Sequence, residues 1–580
     1  MASNLQYNYD SLPGRVVRLL RLWPGPPDSP LVCSLNNVSL DDPNLDYKAM
    51  SYVWGDKIPQ STLWIDKIDH KQLLIRPNLA AALRQLRENQ LSCCDLSCAC
   101  RGNSTSIRQK LHEHFTFPTY LWIDAVCIDQ NNIEERGQQV SLMFEIYTKA
   151  SVVVAWLGEE DKYTVPALRL LYGLSGLWDW WSDDAKAAIR HLAHNEEFKS
   201  FWLALGHFFA RTWWTRMWIV QEIVLAKDAI LVCGRWCVSW DRLCKATTVL
   251  MDSSTDELFE ATLVTGDFRH FHAALRGIGL LKCLKETSME IGHNSTGTSS
   301  GEKCRLSALL HIGRSYEATD PQDKVYGILG LLRGFGVSPQ LEVRYDRTVS
   351  DLYMRTAELI YKEENLNFLG LVEVNRSSDQ KRQFSLPSWA PDFTVPTNYL
   401  PIFSGMRYPP IWSDKAEVSR EMSGTFTFTG DSKGYCKFGL KAKTITVTGF
   451  RVDTIQGIET RFVDIIPDFR RGHAVRYGKR ICWLPPDETK ESELEEVWNS
   501  VLGHKPTQAR AWVPAEKVGV EGSFPPPHMN PQCFQTAKMG LYGVTDAAIY
   551  VDDHICGLLG LGVPCILRRR ANSWRFVGLR

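Results

Sequence analysis

The segment RTWWTRMWIVQEIVLA, Arg211–Ala226, holds the residues whose types and spacing bear most directly on chemistry. Trp213, Trp214 and Trp218 crowd a helix-like apolar run that carries one carboxylate, Glu222. Trp218 and Glu222 lie four residues apart, so on a helix they share a face. A carboxylate inside an apolar run costs free energy to bury unless it is paired or binds something. Two readings follow. Glu222 is half of a buried ion pair, with Arg211, Arg216 or another base, or it is a working acid.

Other constellations carry less. Cys93, Cys94, Cys98 and Cys100 with His112 and His114 offer zinc-ligand types, but their spacing is not that of a known finger. Structural thiols are the stronger reading, and no metal is expected. Arg269-His-Phe-His272 has no second ligand pair nearby in sequence. Gly173-Leu-Ser175-Gly176 lacks the spacing of a nucleophile elbow. No Walker A sequence is present and no Gly-rich dinucleotide fingerprint follows a strand, which argues against nucleotide triphosphate hydrolysis.

At 580 residues the chain exceeds what one hydrophobic core supports, so two to four domains are expected. Lys+Arg and Asp+Glu balance at 66 each, and the basic runs Arg568-Arg-Arg570 and Arg470-Arg471 are short. Nucleic-acid binding therefore has little support. The N-terminus, MASNLQYNYDSLPG, has no basic region followed by an apolar run. No stretch approaches the roughly 18 consecutive apolar residues of a membrane span. The expectation is a cytoplasmic protein with reduced thiols and no membrane partner.

The elements that must position these residues alternate along the first part of the chain. Residues 1–44 read as a leader, with Val16–Leu22 a possible edge strand. Tyr47–Val53 reads as a strand. A helix follows Pro77, with Asn78 as its cap and Leu79, Ala82, Leu83 and Leu86 on one face. Leu121–Cys127 reads as a second strand, Asn131–Ala150 as a helix and Ser151–Leu157 as a fully covered strand. The Trp-rich helix over 213–226 comes next. This order predicts an α/β domain over 45–235 with a parallel sheet covered on both faces. A helical region over 236–380 follows, interrupted by a flexible loop at 287–303; Asp320 caps one helix there and Asp346–Glu364 forms another. Over 381–580 short alternating runs, among them Thr425–Thr429, Thr444–Val447, Ala548–Val551 and Cys565–Leu567, predict a β-rich C-terminal region.

In open α/β sheets, ligands bind beyond the carboxyl ends of the strands. Here those ends carry Ser51, Tyr52, Trp54, Gly55 and Asp56 after the first strand, Asp124, Asp129 and Gln130 after the second, and Gly158, Glu159 and Glu160 after the third. An acidic, aromatic rim suits a cationic ligand that stacks. Taken singly, each acid is more simply a cap or turn residue and each Trp a core residue.

YKAMSYVWGD (47–56), LWIDAVCIDQNNIEERGQQVSLMFEIYTKASVVVAWLGE (121–159) and RTWWTRMWIVQEIVLAKDAILVCG (211–234) resemble the three blocks of the fungal HET (heterokaryon incompatibility) domain. ATDPQDKVYGILGLL (318–332), LPSWAPDF (386–393) and VPCILR (563–568) resemble downstream parts of such proteins. The resemblance implies a fungal allorecognition protein that triggers programmed cell death, with a TIR-like (flavodoxin-like) core. Its partners would be other incompatibility or signalling proteins and further copies of itself on activation. Through the likeness to TIR enzymes it implies Glu222 as the catalytic glutamate of NAD cleavage, with Trp218 beside it. Ser51, Tyr52, Trp54, Gly55, Asp56, Asp124, Asp129, Gln130 and Arg136 would then line the substrate site, and NAD would be a substrate rather than a cofactor. Family members often have Asn where this chain has Asp129, and related chains usually continue beyond Leu579-Arg580, so the C-terminus is read as shortened.

Overall fold

The computed structural model describes residues 5–87, 92–93, 120–178, 195–252, 268–293, 306–372, 383–395, 435–459, 473–484, 532–545 and 549–579, apart from short gaps within these ranges and a few residues of 187–192. The chain divides into two units, one of residues 1–300 and 316–346, the other of residues 301–315 and 347–580.

In the first unit the strands are β1 (Val16–Leu22), β2 (Leu31–Ser39), β3 (Lys48–Tyr52), β4 (Ser61–Ile65), β5 (Lys71–Ile75), β6 (Ser92–Cys93), β7 (Tyr120–Trp122), β8 (Val152–Trp156), β9 (Ala229–Cys233) and β10 (Trp236–Ser239). They form one sheet in the order β5-β4-β2-β1-β7-β3-β8-β9-β10-β6. The four central strands, β7, β3, β8 and β9, run parallel. Every residue of β3, β8 and β9 is buried, so the sheet is covered on both faces there.

The flanks correct the expectation of a wholly parallel sheet. β1 pairs antiparallel with both β2 and β7. Residues 16–22 and 31–39 are therefore sheet strands rather than a leader, and Val16–Leu22 lies inside the sheet, not at its edge. Its alternation is masked in the sequence because Arg18, a core residue here, is satisfied by Glu135 and the carbonyl of Cys127. On the other side, β9 and β10 form a hairpin across Gly234-Arg235, with Gly234 at φ 56°. A two-residue hairpin turn wants a positive φ at that position, which glycine takes without strain.

The helices named below are α1 (Pro77–Arg87), α2 (Asp124–Cys127), α3 (Ile133–Lys149), α4 (Thr164–Trp178), α5 (Lys199–Phe209), α6 (Ile219–Val224), α7 (Trp240–Asp252), α8 (Phe268–His293), α9 (Asp323–Gly334) and α10 (Val349–Glu364). Asn132 caps α3 by accepting from the amide of Glu135, at 3.1 Å. Three helix starts differ from expectation, α10 beginning at Val349 rather than Asp346. Asn78 lies inside α1 and uses its side chain elsewhere. Asp320 sits ahead of α9 and accepts from the amide of Gln322 at 3.0 Å, so the helix begins at Asp323. The expected strand Leu121–Cys127 stops at Trp122 because Asp124 opens a helical turn. The expected loop at 287–303 begins later, since α8 continues to His293; residues 294–303 lie outside the described residues.

In the second unit, α10 is capped by Thr348, which accepts from Asp351. The β-rich region comprises β11 (Cys436–Gly439), β12 (Thr444–Val447), β13 (Gly449–Glu459), β14 (His473–Tyr477), β15 (Arg480–Leu484), β16 (Gln532–Thr536), β17 (Tyr542–Thr545), β18 (His554–Leu558), β19 (Cys565–Arg570) and β20 (Ser573–Leu579). Six of these form an antiparallel sheet, β17-β16-β13-β18-β19-β20, over a core of Ile455, Phe534, Ile549, Ile555 and Ile566. Of the expected strand Ala548–Val551, the described residues 549–551 are not strand but lead into a turn held by Asp553, whose carboxylate accepts from the amide of Tyr550. The expected strand 425–429 lies outside the described residues. Among the described residues, no helix is long and apolar enough to cross a membrane.

Candidate active site at the strand ends

The site is built outward from the carboxyl end of β3. Ser51 is fully buried and sits opposite Ala155 of β8. Its hydroxyl accepts from the indole of Trp213 at 2.8 Å and donates to Glu222 Oε2. Glu222 is only 3% exposed. Arg216 Nη1 approaches the same oxygen, at 3.3 Å. The hydroxyl of Tyr147, which donates to the carbonyl of Met50, lies against Glu222 as well.

The ion pair depends on a break that the sequence conceals. The expected single helix over 213–226 is a short 3₁₀ turn, Thr212–Thr215, then extended Arg216 (φ −69°, ψ 136°), then α6. Residues six apart on a continuous helix face different sides. Extension at Arg216 turns its side chain back toward Glu222. Trp218 and Glu222 lie beyond the break and stay one helical turn apart, the Glu222 amide donating to the Trp218 carbonyl at 3.0 Å, but the Trp218 indole turns to Asp323 and donates to its Oδ2, at 3.1 Å. The shared face expected for the two residues therefore does not make them partners. Arg211, the other candidate base, instead binds Asp161 and the carbonyls of Leu157 and Glu159, anchoring the loop after β8.

A second acid sits beside the first. Asp124 Oδ2 accepts from the Trp54 indole at 2.8 Å, its Oδ1 accepts from the amide of Ala125, and the Tyr52 hydroxyl hydrogen-bonds to it. Arg216 acts on both Asp124 and Glu222 electrostatically. Burial pushes both carboxyls above their ordinary range, and Arg216 opposes that rise in each. Two buried acids thus share one guanidinium, an arrangement that favours keeping a proton within the cluster. Tyr52 is held neutral by burial and by Asp124 beside it.

The remaining expected residues divide. Trp54 carries the Arg76 guanidinium over its ring, 4.8 Å from the centroid, and Arg76 also donates to the carbonyl of Gly55. Gly55 has φ 70°, which frees that carbonyl to turn toward Arg76. Gln130 donates to the backbone oxygen of Asp124, at 2.8 Å, and so supports the turn rather than the acid. Asp129 accepts from the amide of Asn131 and is a turn residue. Arg136 stacks over Tyr345, 3.9 Å from the ring centroid. Glu160 pairs with Arg235, so the third strand's rim has partners of its own. Asp56 lies outside the described residues, as do Cys94, Cys98, Cys100, His112 and His114; for Cys93 only the backbone, in β6, is described. Among the described residues, no group of three or more His, Cys, Asp or Glu is placed to hold a metal ion.

Sequence reasoning missed several supports. Asn78 bridges two strand ends, donating to the carbonyl of Val53 at 2.6 Å and accepting from the Trp156 indole at 2.9 Å. Trp213 and Tyr147 secure Ser51 and Glu222. A polar residue at the second position of a helix, just beyond a strand, was the available signal for Asn78.

The segment from Tyr47 to Glu222 contains every residue of this acid cluster. Residues 47–222 match the family model for heterokaryon incompatibility protein (HET). The match thus opens one residue before β3 and closes on the buried glutamate. Heterokaryon incompatibility protein 6, OR allele, of Neurospora crassa is similar to this chain, with 27% identity over 440 residues. That alignment covers 68% of this chain and 60% of the relative's length. No solved structure matches the chain.

Proposed function

We propose that this chain acts in fungal allorecognition as a heterokaryon-incompatibility effector that triggers cell death, with its α/β unit, of TIR-like fold, as the signalling module. The match of residues 47–222 to the HET family supports this reading. In the state described here the acid cluster is closed: one oxygen of Glu222 is engaged by both Ser51 and Arg216. That geometry favours a module whose buried ion pair fixes the strand ends until activation, through assembly with partner proteins or copies of itself. The test is a cell-fusion incompatibility assay with Arg216→Ala and Glu222→Ala, each paired with a melting measurement. Lost incompatibility with lowered melting temperature supports the structural pair; full incompatibility in both variants sinks it.

A second reading has an observation of its own. Asp124 follows β7, the Glu222 side chain reaches Ser51 near the carboxyl end of β3, and burial raises both carboxyls. If Arg216 moves aside, Glu222 can stabilise the oxocarbenium-like centre that forms as the nicotinamide–ribose bond of NAD breaks. The nicotinamide leaves neutral, so no general acid is required and one carboxylate suffices. Loss of NAD on incubation with the full chain, abolished by Glu222→Gln at unchanged melting temperature, supports this reading. Intact NAD after induced assembly counts against it.

A further inference from the structure

The chain crosses between units twice in a short distance. Residues 301–315 belong to the second unit, 316–346 to the first, and 347 onward to the second again. The 316–346 segment is thus joined to the second unit at both ends, and it lies outside the family match, which ends at Glu222. Its contacts within the first unit include α3, where Arg333 donates to the carbonyl of Ser141, and the break that makes the Arg216–Glu222 pair.

Glu317 forms a parallel bridge with Arg216: its amide donates to the carbonyl of Thr215, and its carbonyl accepts from the amide of Met217, at 2.8 Å. The Glu317 carboxylate also accepts from the Thr215 hydroxyl, at 3.1 Å. Arg216 is therefore pinned as a one-residue strand between two helical turns. Asp323 holds Trp218, two residues on. One of its oxygens accepts from the Trp218 indole and the other from the Tyr345 hydroxyl, at 2.7 Å. Tyr345 is in turn covered by Arg136 of α3. α9 then runs close against α6. A Cβ on Gly330 would come 1.7 Å from Gln221 Nε2, one on Gly327 3.2 Å from Met217, and one on Gly334 3.1 Å from Leu225. A side chain at Gly330 would have to displace the Gln221 amide, and one at Gly327 or Gly334 would need its neighbour to give by a few tenths of an ångström, so the two segments are closely packed.

We propose that residues 316–346 act as a strap that sets the Arg216–Glu222 pair, with Glu317 and Asp323 as its positioning residues, and that displacing the strap uncouples the pair. With the bridge gone, Thr212–Val224 is free to continue as one helix, which carries Arg216 away from the Glu222 face. Both ends of the strap are covalently joined to the second unit, so that unit gains a direct mechanical handle on the acid cluster. The inference rests on the reading of that cluster as functional.

Hydrogen–deuterium exchange on the full chain tests it. In Asp323→Ala and Gly330→Leu, amides of 216–222 are expected to exchange about tenfold faster, while those of β8 keep their protection. Asp323→Asn, which keeps an acceptor for the Trp218 indole, is expected to restore most of that protection. Thr215→Val removes only the side-chain bond to Glu317 and serves if the larger changes unfold the chain; a severalfold rise confined to 216–222 is then expected. Wild-type protection of 216–222 in folded variants overturns the proposal, as does an equal rise throughout the first unit. Exchange needs no activity, so a working strap without NAD loss or incompatibility counts against the functional reading alone.

Discussion

Two carboxylate–guanidinium pairs, one in each unit, each set a buried acid against a partly buried arginine and yet are built differently. In the second unit, Arg568 reaches Asp553 with two nitrogens at 2.7 Å each, one to each oxygen, and Asp553 also accepts from the amide of Tyr550. Its guanidinium lies over the Tyr550 ring, 4.1 Å from the centroid. This is the bidentate fork that makes an ion pair directional and strong. In the first unit, Arg216 meets Glu222 with one nitrogen at 3.3 Å, shares itself with Asp124, and leaves both acids raised. The first arrangement fastens a turn. The second is a cluster whose charge is incompletely matched, as expected of a site that moves or binds.

The comparison breaks most visibly if the fork is cut. Asp553→Ala leaves the partly buried Arg568 and the Tyr550 amide without their acceptor, and a loss of about 3 kcal/mol is expected in urea unfolding of the second unit. A loss below about 1 kcal/mol would show that the fork is ornamental and erase the contrast. Arg216→Ala is the matching cut. Its cost at neutral pH is expected near 3 kcal/mol or somewhat less, because Glu222 can take up a proton instead of remaining a bare buried charge. The cost should shrink as the pH is lowered, since protonated Glu222 no longer needs the guanidinium. A pH-independent cost would mean that Arg216 matters for packing alone.

Asp323 sharpens the contrast through pH. Burial, with Asp320 adding to it, raises its carboxyl from an ordinary 3.8 to about 6, against the hydrogen bonds from Tyr345 and Trp218. A raised acid binds its proton more tightly in the folded state, so its contribution to stability is complete below about 4 and is lost as the pH climbs through 6. The loss is on the order of 2–3 kcal/mol. The stability of wild type relative to Asp323→Asn should therefore fall between pH 4 and 7, and parallel curves would remove Asp323 from the account.

What the sequence disclosed follows the same division. The central strands were legible because β3 and β8 are short apolar runs with strand-end acids, and α3 because Glu134 and Glu135 open a run with one apolar face. Asp124 was legible as an acid following a strand, and Glu222 as the one carboxylate in an apolar helix-like run. Arg216 as the partner was legible only as one of two candidates, because an extended residue between two helical turns has no local signature. It is imposed by Glu317, 101 residues later in the chain. β1 was read as peripheral because antiparallel pairing with β7 depends on a contact across about a hundred residues. Local pattern reveals elements; pairings fixed by distant backbone stay hidden.

The smallest expected effect discriminates best. Glu222→Gln keeps the shape of the side chain and mimics its protonated form. A carboxyl already pushed toward protonation loses little when it is made permanently neutral, so the change in stability at pH 7 should be about 1 kcal/mol or less. Asp553→Asn breaks one arm of a bidentate fork and should cost more, about 2–3 kcal/mol, although the chemical change is the same. Equal costs would mean that the two pairs are alike and that Glu222 is a structural acid like Asp553. Unequal costs, together with loss of incompatibility in Glu222→Gln alone, would locate function in the looser pair, since the residue would then matter to the cell by an amount that its contribution to folding cannot explain.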